Sequence, residues 1–219
     1  MQGTIIVTDF DGTITDKDSN ALLVEQFGDD FNQWLEEQYI LGVMGTREAM
    51  DKHFGNLKLS EEQYRDFILA DIGIDPGFRE FYTKVKQAGI PLVVISGGYV
   101  NAIDIVLSRE GMEADIVLAN RLEFTDQGIV NHFYHACPDC PMDFGPCGNC
   151  KASHIKKYKE RYRQVVFIGD GLTDRCAAHH AQMVYAKARL AEYCREHGFQ
   201  YVPFEDFSDV TRHMFGREE

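Results

Sequence analysis

Three short clusters of carboxylate, hydroxyl and glycine residues each follow an apolar run. Asp9-Phe10-Asp11-Gly12-Thr13-Ile14-Thr15 comes after Thr4 to Thr8, Ser96-Gly97-Gly98 after Leu92 to Ile95, and Gly169-Asp170-Gly171-Leu172-Thr173-Asp174 after Val165 to Ile168. Asp9 and Asp11 are two apart, so an extended strand would point both the same way. Carboxylates that close repel one another unless a cation neutralises them. Asp170 and Asp174 add to an all-oxygen environment of the kind that suits Mg²⁺. One aspartate of such a set can attack phosphorus and form an acyl phosphate. Another can protonate the leaving oxygen and then activate water. Ser96, the amides of Gly97 and Gly98, and a lysine would hold the phosphoryl oxygens.

The elements that must position these groups are legible as well. The three runs are β-branched-rich and short, as in parallel strands buried on both faces. Asp115 to Leu118 and Met183 to Tyr185 are further strand candidates. Helical patterns at Gly77 to Ala88, Val100 to Ser108 and Ala152 to Tyr162 alternate with them. The expected fold is therefore α/β, a doubly wound, Rossmann-like parallel sheet. In such sheets ligands bind beyond the carboxyl ends of the strands, where all three clusters fall. The segment 16–75 breaks the alternation with helices alone: Ala21 to Phe27, Phe31 to Leu41, Thr46 to Phe54 and Ser60 to Ile68. Ser60-Glu61-Glu62-Gln63 has capping-box form. It reads as a small all-helical cap inserted after the first strand, with residues 1–15 and 76–219 as the catalytic core. Within the core, 120–150 holds a hairpin at Leu122 to Phe133 and then a Cys-rich loop.

The bulk numbers exclude some classes. With 22 basic and 35 acidic residues the chain carries −13, which repels nucleic acid and anionic membranes. No apolar run approaches the roughly 18 residues of a bilayer span, and no signal peptide is evident. A cytoplasmic location follows as the expectation, with the six cysteines as thiols or metal ligands. Cys137, Cys140, Cys147 and Cys150 form two CxxC pairs, a shape for structural Zn²⁺, although the gap between the pairs is short for a zinc ribbon. Free thiols or a redox pair are the alternatives, while Cys176 and Cys194 read as packing residues.

Taken in order, the clusters resemble the motifs of the haloacid dehalogenase superfamily. Asp9 to Thr13 matches the DxDGT motif, Ser96 the second-motif serine, and Gly169, Asp170 and Asp174 the GDxxxD motif. Lys151, ahead of the last catalytic strand, fits the motif lysine better than Lys156, Lys157 or Lys159, which read as a solvated face. The resemblance implies Asp9 as nucleophile and Asp11 as acid/base. It implies magnesium contacts from Asp9, Asp170 and the Asp11 main chain, with Asp174 assisting, and phosphate held by Ser96, Gly97, Gly98 and Lys151. The helical segment is similar to the type-1 cap. Phosphatases with that cap include those of methionine salvage and those of phosphoserine. His53-Phe54-Gly55, Gly77 to Phe81 and the Cys-rich run look more like the former. Asp18, Arg47 and His53 are the candidate cap contacts to substrate, and Trp34, Tyr39, Met44, Met50 and Phe54 could line an apolar pocket or pack the cap itself. The implied partner is a small phosphorylated metabolite, acted on by a monomer or a homodimer. A phosphocholine-type substrate and a phospho-aspartate signalling or binding module are the alternatives.

Overall fold

The computed structural model describes residues 2–135, 137 and 146–216. Seven strands form one sheet in the order β4-β3-β2-β1-β5-β6-β7. They are β1 (Gln2–Thr8), β2 (Leu92–Tyr99), β3 (Ile116–Thr125), β4 (Gly128–His132), β5 (Tyr162–Gly169), β6 (Met183–Ala186) and β7 (Val202–Pro203). All neighbours are parallel except the β3–β4 hairpin. Alternate residues of the central strands enter different cores, as a strand's period of two requires. Ile6, Val94 and Ile168 face one side, and Ile5, Val7, Val93, Ile95 and Phe167 the other.

Helices cover both faces. α5 (Phe78–Gln87), α6 (Val100–Arg109) and α10 (Phe207–Phe215) pack on the first, where Phe78, Phe81 and Phe207 form a ring cluster with centroids 4.8–6.3 Å apart. α7 (Lys151–Lys159), the short α8 (Arg175–Ala178) and α9 (Ala188–Glu196) cover the second. The doubly wound expectation holds. Asp115 to Leu118 and the first arm of the hairpin were expected as separate features, but β3 runs through both. Its length carries the chain from the core out to the turn before Gly128.

Between β1 and α5 lie α1 (Ser19–Phe27), α2 (Asp30–Ile40), α3 (Thr46–Asn56) and α4 (Glu61–Asp71). The capping box opening α4 is present, with Gln63 N donating to Ser60 Oγ at 3.1 Å and Ser60 N to Gln63 Oε1 at 2.8 Å. The chain enters and leaves this helical stretch side by side: Asp16 N donates to Gly73 O and Asp75 N to Ile14 O, at 3.2 and 2.8 Å. Asp75 is buried and also accepts from Gly77 N and Phe207 N, which ties this crossing to α10. Phe54 of α3 meets Tyr99 at 4.6 Å between centroids, and Tyr64 of α4 meets Phe124 at 5.4 Å. Tyr39, Met44, Leu35 and Ala49 form a separate small cluster within the helices. Among the described residues, no helix is long and apolar enough to cross a membrane.

Candidate active site

The Asp9 cluster follows β1, the Asp170 cluster starts at the last residue of β5, and Ser96–Gly98 lie late in β2 where its pairing turns irregular, so the parallel sheet delivers all three to one edge. Asp9 follows β1 directly, and its backbone N–H still donates to Ile168 O at 2.9 Å. One oxygen each from Asp9, Asp170 and Asp174 lies within 4.8 Å of the others. Gly12 turns the chain back over this group with φ +72°, and a Cβ there would meet Asp170 Oδ2 at 2.7 Å. Only glycine fits both the conformation and the approach.

Lys151 is the first residue of α7 and is 3% exposed. Its ammonium lies 2.6 Å from Asp9 Oδ1 and 2.6 Å from Asp174 Oδ1. Burial alone would depress its pKa, but Asp174 and Asp9 outweigh burial and hold it above the ordinary lysine value. The rival lysines Lys156, Lys157 and Lys159 are exposed in the later turns of α7, as a solvated face would be. Asp174 is fully buried, and its second oxygen accepts from Asp170 N and Gly171 N at 3.1 and 3.0 Å. Its carboxylate thus shapes the loop that presents Asp170 and also orients Lys151. Thr13 Oγ1 donates to Asp170 Oδ1 at 2.5 Å.

Asp11 stands apart from the trio. Its Oδ1 accepts from the Ser19 hydroxyl and from Ser19 N at 3.2 Å, and its Oδ2 from Asn20 Nδ2 at 3.0 Å and Ser96 Oγ at 3.4 Å. The Asp11 side chain is therefore turned toward α1 and Ser96 and away from the Asp9–Asp170–Asp174 group. Gly98 backs it, since a Cβ there would meet Asp11 Oδ2 at 2.3 Å.

Crowding shows in the acid–base balance. Burial, Asp174 and Asp170 push Asp9 well above the usual carboxylate range, against the pull of Lys151. Burial and Asp18 raise Asp11 to about 7, against hydrogen bonds from Ser19. Burial and Asp174 raise Asp170 to about 6. Carboxylates raised in the folded state add stability that is complete at low pH and lost as pH climbs through their folded values. The cation-free protein is thus expected to melt several degrees lower at about pH 8 than at about pH 5. Millimolar Mg²⁺ should recover more of the melting temperature at the higher pH, because a cation competes with protons for these oxygens. Calorimetry at both pH values with and without Mg²⁺ checks this, and an equal shift at both would contradict it.

Of the cap candidates, Asp18 stands beside the site, where its charge helps raise the Asp11 pKa. Asp18 caps α1, its Oδ1 accepting from Asn20 N and Ala21 N at 2.9 and 3.0 Å. His53 is buried between α2 and α3, its Nδ1 3.1 Å from Asn32 Nδ2, so it belongs to the helices' interior. Arg47 is exposed and lays its guanidinium 4.7 Å over the Phe133 ring, and its backbone N–H donates to Pro146 O. Tyr39 and Met44 pack within the helices, and Trp34 faces solvent. Cys140 lies outside the described residues, so the four-cysteine set cannot be described as a site. Among the described residues, the group able to hold a metal is Asp9, Asp170 and Asp174, and nothing supports zinc. Sequence reasoning missed Ser19 and Asn20, which reach Asp11 from the start of α1, and Asn120 and Asn149, which bond Gly97 O and Ser96 O; no local pattern marks any of the four.

A haloacid dehalogenase-like hydrolase model matches residues 6–179, and the chain belongs to that family. It is an enzyme of the hydrolase class. It is 33% identical over 211 residues to the 2-hydroxy-3-keto-5-methylthiopentenyl-1-phosphate phosphatase of Bacillus velezensis, covering 94% of this chain and 87% of that protein. It is 31% identical over 218 residues to the enzyme of the same name from an Exiguobacterium species, covering 97% of this chain and 98% of that one. A phosphoserine phosphatase captured as a phospho-aspartyl intermediate analogue shares the fold, with TM-score 0.70, 19% identity, and 97% and 99% of the two chains covered. A hydrolase of the same family from Salmonella enterica serovar Typhi superposes with TM-score 0.77 at 16% identity, over all of this chain and 73% of that one.

Proposed function

We propose that this chain is a Mg²⁺-dependent phosphomonoesterase that forms an acyl phosphate on Asp9, and that its substrate is 2-hydroxy-3-keto-5-methylthiopentenyl-1-phosphate. The observation that carries the reaction class is Asp9 itself. It is a 6% exposed carboxylate at the end of β1, and among the described residues both hydrogen bonds to it, from Phe10 N and Lys151 Nζ, fall on Oδ1. That leaves Oδ2 as the atom to attack phosphorus. The substrate rests on the relatives' names, at 31–33% identity over nearly the whole chain.

The hard oxygen donors and the raised carboxylates fit a divalent cation, which Asp9, Asp170 and the Asp11 main chain would hold, with Asp174 assisting. When bound, Mg²⁺ neutralises charge on the phosphoryl oxygens. An Asp9 oxygen bonds to phosphorus as the ester oxygen departs, and the Asp11 carboxyl gives that oxygen its proton. The Asp11 carboxylate then takes a proton from water, whose oxygen attacks the phosphoaspartate and frees phosphate and Asp9. A pKa of about 7 lets Asp11 serve in both states near neutrality. Lys151, Ser96 and the Gly97 amide hold the transferring oxygens, while the Gly98 amide is committed to Ser96 Oγ at 2.8 Å. In this reading residues 16–75 form the cap over a core of 1–15 and 76–219, and the enzyme works in the cytoplasm.

The test is phosphate release from a panel containing the methionine-salvage ester, phosphoserine, phosphocholine and pyridoxal phosphate, with Mg²⁺ or with EDTA. Mg²⁺-dependent turnover that favours the salvage ester by at least about tenfold in kcat/KM is expected. Preference for phosphoserine would replace the substrate assignment, and turnover of none of the panel would overturn the proposal.

A further inference from the structure

The segment Ser96-Gly97-Gly98, late in β2, turns away from regular sheet pairing. β2 pairs with β3 in regular register up to Ile95, and the register shifts before Tyr99. The carbonyls of the turn therefore need other donors. Two buried asparagines supply them. Asn149 Nδ2 donates to Ser96 O at 3.0 Å and to Leu118 O at 2.7 Å, and Asn120 Nδ2 donates to Gly97 O at 2.7 Å. Asn120 is itself held, its Oδ1 accepting from Tyr134 N at 3.0 Å.

Asn149 spends both amide hydrogens on carbonyls, so its Oδ1 is an acceptor. His154 Nε2, 2.8 Å away, must then be the protonated ring nitrogen that donates to it. His154 sits one turn into α7, and Asn149 stands two residues before Lys151. The chain around Asn149 is pinned by Cys150 N donating to His135 O at 2.8 Å.

A trans peptide points its C=O and N–H in opposite directions. Holding Ser96 O on one side therefore fixes the direction of Gly97 N–H on the other. At Gly97 a Cβ would meet nothing within 4 Å, so that side of the turn faces open space. The adjacent Gly98 N–H is occupied, donating to Ser96 Oγ at 2.8 Å. We infer that Asn149, held by His154, is a positioning residue. It locks the Ser96–Gly97 peptide so that Gly97 N–H faces the phosphoryl group, and it sets this turn in register with Lys151. The inference rests on the phosphatase reading above and adds two residues outside the family-like motifs.

The experiment compares wild type, Asn149→Ala, Asn149→Asp, His154→Leu and His154→Gln. It measures hydrolysis of p-nitrophenyl phosphate, binding of inorganic phosphate to the Mg²⁺-loaded proteins by calorimetry, and the Mg²⁺-induced rise in melting temperature. Both Asn149 variants should bind phosphate about tenfold more weakly and lose about 10- to 100-fold in kcat/KM, the scale of a misaimed phosphate donor. Their Mg²⁺ shift should match wild type, since Asp9, Asp170 and Asp174 are untouched. Asn149→Asp keeps the volume should Asn149→Ala fold poorly. His154→Gln retains a donor for Asn149 Oδ1 and should keep at least about tenfold more activity than His154→Leu. Unaltered phosphate binding in the folded Asn149 variants, with an active wild type, overturns the inference and leaves the phosphatase reading standing. A wild type that neither hydrolyses the ester nor binds phosphate overturns both.

Discussion

Asp9→Asn is expected to lower kcat by at least about four orders of magnitude, the scale seen when a covalent nucleophile is removed. The same protein should melt no lower than wild type when free of divalent cations. Asparagine has the shape of aspartate and can still accept from Phe10 N and Lys151 Nζ, the two bonds that Asp9 Oδ1 receives. It also removes one charge from a group in which Asp174 and Asp170 oppose the ionised form of Asp9. Lys151 keeps Asp174 as its counter-ion at 2.6 Å. Loss of activity and loss of stability are thereby uncoupled. Rapid acid quench followed by peptide mass analysis should find phosphate on the Asp9 peptide in wild type and none in the variant. Activity within tenfold of wild type would exclude Asp9 as nucleophile.

Lys151→Met should be inactive and, unlike Asp9→Asn, clearly destabilised. The substitution leaves Asp9 and Asp174 buried without the ammonium that lies 2.6 Å from each. Removing one partner of a buried ion pair costs about 3–5 kcal/mol, or roughly 6–20 °C in a domain of this size. The deficit should depend on pH in a definite direction. Without Lys151 the folded-state pKa of Asp9 climbs further, so stability survives where the carboxyl is protonated and drains away as pH rises. The gap in melting temperature from wild type should therefore widen between about pH 5 and about pH 8, and Mg²⁺ should narrow it at the upper end. Thermal melts of both proteins at several pH values give the answer. A gap independent of pH would mean that Lys151 contributes packing and not charge balance.

The two variants separate roles that lie within one hydrogen bond of each other. Asp9 is expendable for folding and required for chemistry. Lys151 serves both, because the fold concentrates like charges at the sheet edge and its ammonium lies 2.6 Å from two of them. Asp174 illustrates the same economy: one carboxylate orients Lys151 and caps the two amides at Asp170 and Gly171.

Local pattern alone determined the strand cores, the placement of Asp9 and Asp170 at strand ends, and the helices of the segment 16–75, while Ser96 lies inside β2 just past its regular pairing. A strand buried on both faces must be short, apolar and closed by a turn, and a capping box such as Ser60–Gln63 is written within four residues. The order and spacing of the motif residues were enough to point to phosphate chemistry at that sheet edge. The tertiary structure decided what no local window contains. Ser19 and Asn20 reach Asp11 because α1 starts above β1. Asn120 and Asn149 hold the Ser96 turn because β3 and α7 converge on it. His53, which the sequence offered to the substrate, is buried with its Nδ1 against Asn32 of the neighbouring helix. A polar side chain's role depends on which partner arrives in space, and for these residues the partner lies on another element. Helix and strand periods predict which face a residue takes, but they carry no information about what meets it there.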